Sequence, residues 1–409
     1  MNFGANQGVG LQYRNLWWQA WRFAWLACGI LGLGLVSAPV SANQRQVTLA
    51  GLAYAGDAAT LDQRFPFSRE YEKNLLKAGS SSYLRLRDGV ALKPSPNFEI
   101  STGQIAELKG RDETLVTTLL IDSETVSLER FGNLRKLLVL IRGQALFFDF
   151  KTMTVVRSYP LSFAYVDVFD RDPSHEEILQ RIVNVYEGTA NRPGMFSRYS
   201  NSLGTAALPT AVSRYLRVAR VALAPEVLES LPPALRSAPG IAETWAADLV
   251  AEAISTRVGV PLVPFVQGYA VGQVMPLRVS DGTVFQLKLP SADYEISVDL
   301  TGLRKVKFGE VAAGVSYVYG AFARVKIEEP LSGTVYLDTE LRNGESKVVP
   351  ATQTHVDDFP AYYDAVNGLF RKLADSIAGK GNQWVKSSSS SSDIDSQIRK
   401  TKEMMDLCR

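Results

Sequence analysis

The run VSYVYGAFARVKIE (residues 315–328), followed at 333–341 by GTVYLDTEL, decides the fold. Both stretches are rich in β-branched and aromatic residues and are bounded by turn residues, so they predict long paired strands. Further strands are expected at Val284–Leu289, Tyr294–Leu300, Lys305–Phe308 and Glu345–Val349. Asn343-Gly344 predicts a tight hairpin between Gly333–Leu341 and Glu345–Val349, because both central positions of a type I′ turn need positive φ. A helix closes the set, with Asp358 as its cap, Pro360 in the first turn and Gly379 as its stop. Tyr362, Val366, Leu369, Phe370, Leu373 and Ile377 make its buried face. Upstream stand a strand at Tyr215–Leu223 and a helix at Ile241–Val258 with Trp245, Leu249, Ala253 and Ile254 on one face. Val260–Val266, carrying two prolines, reads as a short edge strand.

The first half repeats this order. Val47–Tyr54 reads as a buried strand, and Ser68 caps a helix reaching about Ala78, stopped by Gly79. Leu84-Arg85-Leu86-Arg87-Asp88 alternates like an amphipathic edge with solvated arginines. Strands follow at Leu115–Ile121, Thr125–Leu128, Leu134–Arg142, Ala145–Phe150, Val155–Leu161 and Ser162–Phe169, with a bend inside Phe148–Val156. Ser174-His175-Glu176-Glu177 is a capping box opening a helix on Ile178, Ile182 and Val185 or Tyr186, and Gly188 ends it. The expected class is α+β, as two tandem domains, each a mostly antiparallel curled sheet with helices on one face. The expected boundaries are a signal peptide at 1–42, domain 1 at 43–190, a linker at 191–210, domain 2 at 211–380 and a Ser-rich tether at 381–392. A short amphipathic tail helix takes 393–409, with Ile394, Ile398, Met405 and Cys408 on one stripe. Too short to persist alone, it orders only against a surface or partner, which makes Ile394, Ile398 and Met405 interaction candidates.

The amino terminus predicts export. Arg14 and Arg22 precede an uncharged apolar run, Phe23 to Val36, and Val40-Ser41-Ala42 fits the small-x-small cleavage rule. Cleavage after Ala42 sends the chain to the periplasm or beyond and leaves Cys408 as the one cysteine. That thiol permits no internal disulfide, only an intermolecular one, or else sits on a frayed tail. An uncleaved anchor is the weaker alternative, since the run is short and broken by glycines. A lipoprotein signal on Cys28 is weaker too, because most of the apolar run follows that cysteine. Membrane contact is thus indirect or through an uncleaved signal.

Lysine plus arginine number 44 against 42 aspartates and glutamates, and removing Arg14 and Arg22 brings the two signs level. That balance argues against nucleic acid as partner. With two histidines and two cysteines, no metal or cofactor set is apparent, and no Gly-x-Ser-x-Gly elbow, Walker loop or His-Glu-x-x-His occurs. His355-Val356-Asp357-Asp358 is the one place where a histidine meets paired carboxylates. Either these residues are the fragment of a hydrolase site, or the aspartates cap the last helix and His355 is a polar loop residue. His175 sits in an exposed first turn. Tyr317, Tyr319, Phe322 and Tyr336 make either an aromatic sheet core or a binding platform.

The stretch 241–377, a helix entering Val260–Phe265, long strands at Ser316–Glu328 and Gly333–Leu341, then a helix from Pro360 to Ile377, resembles small periplasmic α/β domains. The relatives in view are the amino-terminal domain of the Tol-Pal propeller protein and the curli-secretion lipoprotein. The resemblance carries no diagnostic motif and implies an interaction module rather than an enzyme. The expected function is an exported, non-catalytic binding or scaffold protein of a Gram-negative envelope, accessory to an outer-membrane or secretion assembly, with envelope proteins as partners and no cofactor. The alternative is an exported hydrolase built on His355, Asp357 and Asp358.

Overall fold

β1 (Gln46–Ala55) runs parallel to β3 (Leu115–Phe131), and α1 (Leu61–Arg64), α2 (Pro66–Lys77), α3 (Ser82–Ala91) and the short β2 (Glu99–Ser101) stand between them. The computed structural model describes residues 45–56, 58–103, 108, 114–131, 133–208, 214–237, 239–265, 274–353 and 356–409. The expected leader, with Cys28 and the cleavage position at Ala42, lies outside these residues, as does His355.

β3 turns into β4 (Leu134–Asp149) and β5 (Thr154–Phe169), both antiparallel. α4 (His175–Glu187), a two-residue ribbon of β6 (Gly188–Thr189) and β7 (Arg192–Pro193), and α5 (Met195–Thr205) follow. The second half starts with β8 (Leu216–Leu223), α6 (Pro225–Glu229) and α7 (Ile241–Val258). A hairpin of β9 (Val274–Val279) and β10 (Val284–Lys288) comes next, then the meander β11 (Tyr294–Val311), β12 (Gly314–Glu329) and β13 (Thr334–Pro350). α8 (Phe359–Ile377), α9 (Gln383–Ser388) and α10 (Ile394–Asp406) end the chain.

The halves repeat one topology down to its irregularities. The first sheet contains β1-β3-β4-β5 and the second reads β8-β11-β12-β13, each with its first pair parallel and the rest antiparallel. Counted from the first paired residues, Val47 and Leu216, each opening strand bulges at its fourth residue, Ala50 and Ala219. β3 and β11 bulge at Asp122 and Thr301, and β5 and β13 at Val156 and Tyr336. A bulge leaves one residue unpaired and swings its side chain out of the strand's alternation. The bulges at Asp122 and Thr301 fall at the breaks in β3 and β11, two of the long strands that read in the sequence as shorter pieces. Gly143 joins two of those pieces in β4, because a Cβ there would stand 2.5 Å from the Leu120 carbonyl oxygen.

The α+β class holds, with mixed sheets and packed helices. Several local expectations do not. Val284–Leu289 is expected in the second meander, but β9 and β10 join the first sheet. β9 pairs with both β10 and β1, and β10 meets β5 at Lys288↔Thr154, so six strands close on themselves. Ala53, Leu120, Leu146, Phe148, Met275, Leu277 and Phe285 fill the enclosed space. Ser280 fastens the hairpin by bonding the Leu52 carbonyl at 2.9 Å and the buried Glu72 at 2.5 Å. Asn343-Gly344 makes no hairpin either, for β13 runs straight through it, paired to Ala321 and Gly320. Asn343 is buried and spends its polar atoms across the core, donating to the Ala365 carbonyl at 2.9 Å and accepting from Lys372 Nζ at 2.7 Å. Val260–Val266 forms no strand over its described residues. Its Leu262 and Val263 amides instead bond the Ser158 and Leu216 carbonyls, stitching one sheet to the other.

Residues 191–210, expected as a linker, contain β7 and α5, whose Met195, Phe196, Tyr199 and Leu203 enter the first core. Ser68 does not cap α2; Glu124 of β3 accepts the Phe67 and Ser68 amides at 2.9 and 2.8 Å in its place. The capping box at Ser174 and Glu177 forms as expected. The serine run is no free tether. Ser390 bonds the Glu340 carbonyl through its amide at 3.0 Å, Ser391 bonds the Asp338 carbonyl through its hydroxyl at 3.1 Å, and the run thereby covers part of the β13 edge. α10 then buries Ile394, Ile398, Met404 and Met405 in the second core. Arg157, itself buried on β5, donates to the Cys408 carbonyl at 2.5 Å and locks the chain end.

α7 buries apolar side chains on two sides because both are covered. One packs on β8 and α8, and the other on β5 and on Leu138 and Leu140 of β4. β4 is therefore buried on both faces, with Leu137, Val139 and Ile141 turned to the helices of its own half. The repeats share this one helix as filling and form one compact unit.

Candidate functional site

β10 pairs with β5 only at Thr154, so the later part of β5 presents an open edge beside the shared helix. A cleft of about 590 Å³ lies there, walled by Ser162–Tyr165 of β5, by α4 and the β6–β7 ribbon, and by α7 and α8. Its size suits a small organic molecule. The ribbon enters the cleft because two glycines let its backbones touch: a Cβ on Gly188 would lie 2.5 Å from the Gly194 nitrogen, and φ at Gly188 is +88°. From α7, Glu252 and Thr256 face in one turn apart, and from α8 Tyr363, Asn367 and Arg371 do so at successive turns.

The lining carries four guanidiniums, Arg192, Arg198, Arg257 and Arg371, against one carboxylate, Glu252. Arg198 donates to Glu252 Oε1 at 2.6 Å and to the Ser162 carbonyl at 2.8 Å, and lies over the Phe163 ring at 4.8 Å. Ser162 Oγ donates to the other Glu252 oxygen, so this carboxylate is fully engaged. Arg257 pairs with Asp375 at 3.2 Å. Arg192 and Arg371 are exposed and meet no carboxylate among the described residues. Burial, reinforced by Glu252, pushes the Tyr363 phenol up to about 12, so it stays a donor. The arrangement holds charge and hydrogen-bonding groups in place, but the serine faces an ion-paired glutamate rather than a base free to take its proton.

Behind the cleft, an acidic seam joins β3, β4 and α7. The bulge at Asp122 points its carboxylate at Gln144 Nε2, which bonds both oxygens at 2.8 Å, and Ser158 orients Gln144 from behind. Arg142 Nη1 donates to Asp248 of α7 at 2.5 Å. A second cavity of about 290 Å³ opens here, with Asp122, Glu124, Arg142 and Asp248 among its walls. Burial raises Asp122 to about 8, with the Asp248 charge adding to it and Gln144, Arg64 and Arg142 opposing. Burial likewise lifts Asp248 to about 6 against the pull of Arg142.

A carboxyl whose folded pKa is raised keeps a proton that the unfolded chain has released, so the folded state loses ground as pH rises. The window for Asp122 runs from about 4 to about 8, and that for Asp248 closes near 6. Asp122→Asn should therefore flatten the fall in stability between about pH 6 and 8 and leave the variant more stable than the parent above it. Urea midpoints across that range measure it; equal slopes for parent and variant would refute the assignment.

The sequence candidates fall elsewhere. Asp357 pairs with Lys136 at 2.7 Å and accepts the Phe359 amide at 3.1 Å, which is the capping part of the expectation. Asp358 makes no cap. It binds Lys305 at 2.7 Å and the Tyr319 hydroxyl at 2.6 Å, so both aspartates are ties between sheets and α8, and neither lines the cleft. His355, their proposed partner, lies outside the described residues. His175 reaches Glu70 at 2.8 Å on the surface and stacks on Phe67. Tyr317 and Tyr319 pack toward α8 as part of the sheet core. Ile394, Ile398 and Met405 are buried, so the surface that orders the tail helix belongs to the chain itself. Cys408 is fully buried, with its thiol raised to about 12 by desolvation, which removes it from pairing with another molecule and from a frayed tail alike. No motif in the sequence marks the arginines or Glu252. Their single trace in the sequence is the four-residue spacing of Tyr363, Asn367 and Arg371 beside the apolar stripe of α8.

Among the described residues, no group of histidine, cysteine and carboxylate side chains is placed to hold a metal ion, and no helix is long and apolar enough to cross a membrane. No family model and no curated protein matches the chain. Two solved structures are similar in part. A Xanthomonas campestris protein of the DUF330 family aligns with 43% of this chain and 87% of its own at 14% identity and a TM-score of 0.22. A candidate lipoprotein from Caulobacter crescentus aligns with 35% of this chain and 84% of its own at 11% identity and a TM-score of 0.20.

Proposed function

We propose that this chain is an exported, non-catalytic binding protein of the bacterial cell envelope, accessory to an outer-membrane or secretion assembly, and that the cleft beside the shared helix receives its ligand. The carrying observation is the cleft itself: about 590 Å³, open, and with its one serine and one carboxylate tied to each other and to Arg198 rather than set for proton transfer. The leader supports export, with arginines before an apolar run and a small-residue cleavage site at Ala42. The resemblance of 241–377 to periplasmic interaction modules supports the same reading.

Two measurements test it. The intact mass of protein recovered from the periplasmic fraction should correspond to a chain beginning at Asn43. A photo-crosslinking residue placed at Asn367, inside the cleft, should capture a ligand or partner in intact cells, and one at the fully exposed Leu331 should not. A chain retained whole in the cytoplasm would end the envelope reading, and equal capture from both positions would end the assignment to the cleft.

A further inference from the structure

Of the four guanidiniums in the cleft, two are already neutralised: Arg198 by Glu252 at 2.6 Å and Arg257 by Asp375 at 3.2 Å. Arg192, from the β6–β7 ribbon, and Arg371, from α8, are left as surplus positive charge facing one space. The surplus is local, because the whole chain carries a formal charge of only +2. A guanidinium presents its N–H groups as a planar fork that fits an oxyanion through two parallel bonds. Two forks from separate elements, beside a lining with no unpaired acid, make a seat for a multiply charged oxyanion.

The space is much larger than an inorganic oxyanion needs. At about 590 Å³ it has room for an organic body, and Phe163, Tyr165 and Tyr363 supply ring surfaces to receive one. We propose that the cleft binds a phosphate monoester with an aromatic or apolar body, the phosphate held by Arg192 and Arg371 and the body packed against these three rings. The inference rests on the cleft being the ligand site and names the class of ligand it takes.

The test uses the mature full-length protein with three probes: phenyl phosphate, inorganic phosphate, and vesicles of phosphatidic acid set against phosphatidylcholine. Phenyl phosphate should bind at low salt, about tenfold or more tighter than inorganic phosphate because only it fills the rings' side of the cleft. Arg192→Ala and Arg371→Ala should each weaken it by about tenfold or more, as loss of a charge-assisted hydrogen bond does. Arg371→Lys should fall between, keeping the charge without the fork. Both arginines are exposed, so the variants should melt with the parent, and their binding losses then report the site. Vesicle capture that needs phosphatidic acid and both arginines identifies a membrane lipid as the source; phenyl phosphate binding without vesicle capture identifies a soluble ester. Failure of both phenyl phosphate and phosphatidic acid to bind, or binding indifferent to both arginines, would overturn the proposal. If the crosslinker at Asn367 still captured a molecule in that event, the cleft would remain a binding site and only the phosphate class would fall.

Discussion

Removing residues 387–409 should unfold the second core rather than trim a tail. The segment contributes Ile394, Ile398, Met404, Met405 and Cys408, each no more than 4% exposed, to the cluster formed with α8 and β13. Burying a large apolar side chain is worth about 1.5–3 kcal/mol, so the four isoleucines and methionines supply on the order of 6–12 kcal/mol before the ordering entropy is subtracted. A whole domain is stable by only about 5–15 kcal/mol. The deletion also strips the β13 edge of the serine bonds at Glu340 and Asp338 and removes the carbonyl that Arg157 holds at 2.5 Å. The truncated chain should therefore lose its cooperative urea transition or show it at far lower denaturant. Ile398→Ala gives the graded version, with an expected loss of about 2–5 kcal/mol. A truncated chain that unfolded with the parent's midpoint would show the tail to be peripheral. For the same reason, a pull-down that fails with the deleted chain would report misfolding before it reported a lost contact.

The second large effect is expected at Trp245. Its indole is 2% exposed near the start of α7 and lies against Phe359 and Tyr363, at ring distances of 6.1 and 6.4 Å. Trp245→Ala empties that space where the closing helix meets the shared one, at a cost of about 3–5 kcal/mol. Among the described residues, the indole N–H meets no hydrogen-bond acceptor. Trp245→Phe therefore sacrifices no hydrogen bond and should cost less than about 1.5 kcal/mol. Paired denaturation curves decide it. If both variants lost the same stability, the indole nitrogen would have an acceptor and the packing account would be wrong.

α7 also shows how far a linear reading reaches. Its helical nature, its stop at Gly259 and the face bearing Trp245, Leu249, Ala253 and Ile254 follow from spacing alone. That its other faces are buried as well depends on β5, about eighty residues upstream, lying across it, and nothing in the helix names that partner. The cleft was illegible for the same reason. Arg192, Arg198, Glu252 and Arg371 come from four elements, and each taken singly is an ordinary solvated or paired charge. His355-Val356-Asp357-Asp358 drew notice because its groups are adjacent in sequence. Adjacency along the chain did not gather Asp357 and Asp358 into a cleft; one tethers Lys136 and the other Lys305.

By itself the sequence determined what depends on a few neighbouring residues. The capping box at Ser174, the apolar stripes of α4 and α8, the alternation of strands and helices and the repeat of one order in both halves all rest on backbone geometry within a turn or two. Tertiary structure decided what depends on strangers meeting. Pairing with β12 over its whole length carried β13 through Asn343-Gly344, and a free edge drew the serine run onto β13. The β9–β10 hairpin left its own half to close the first sheet. In each case the local preference is worth a kilocalorie or so, and the hydrogen bonds and apolar area gained in the fold exceed it.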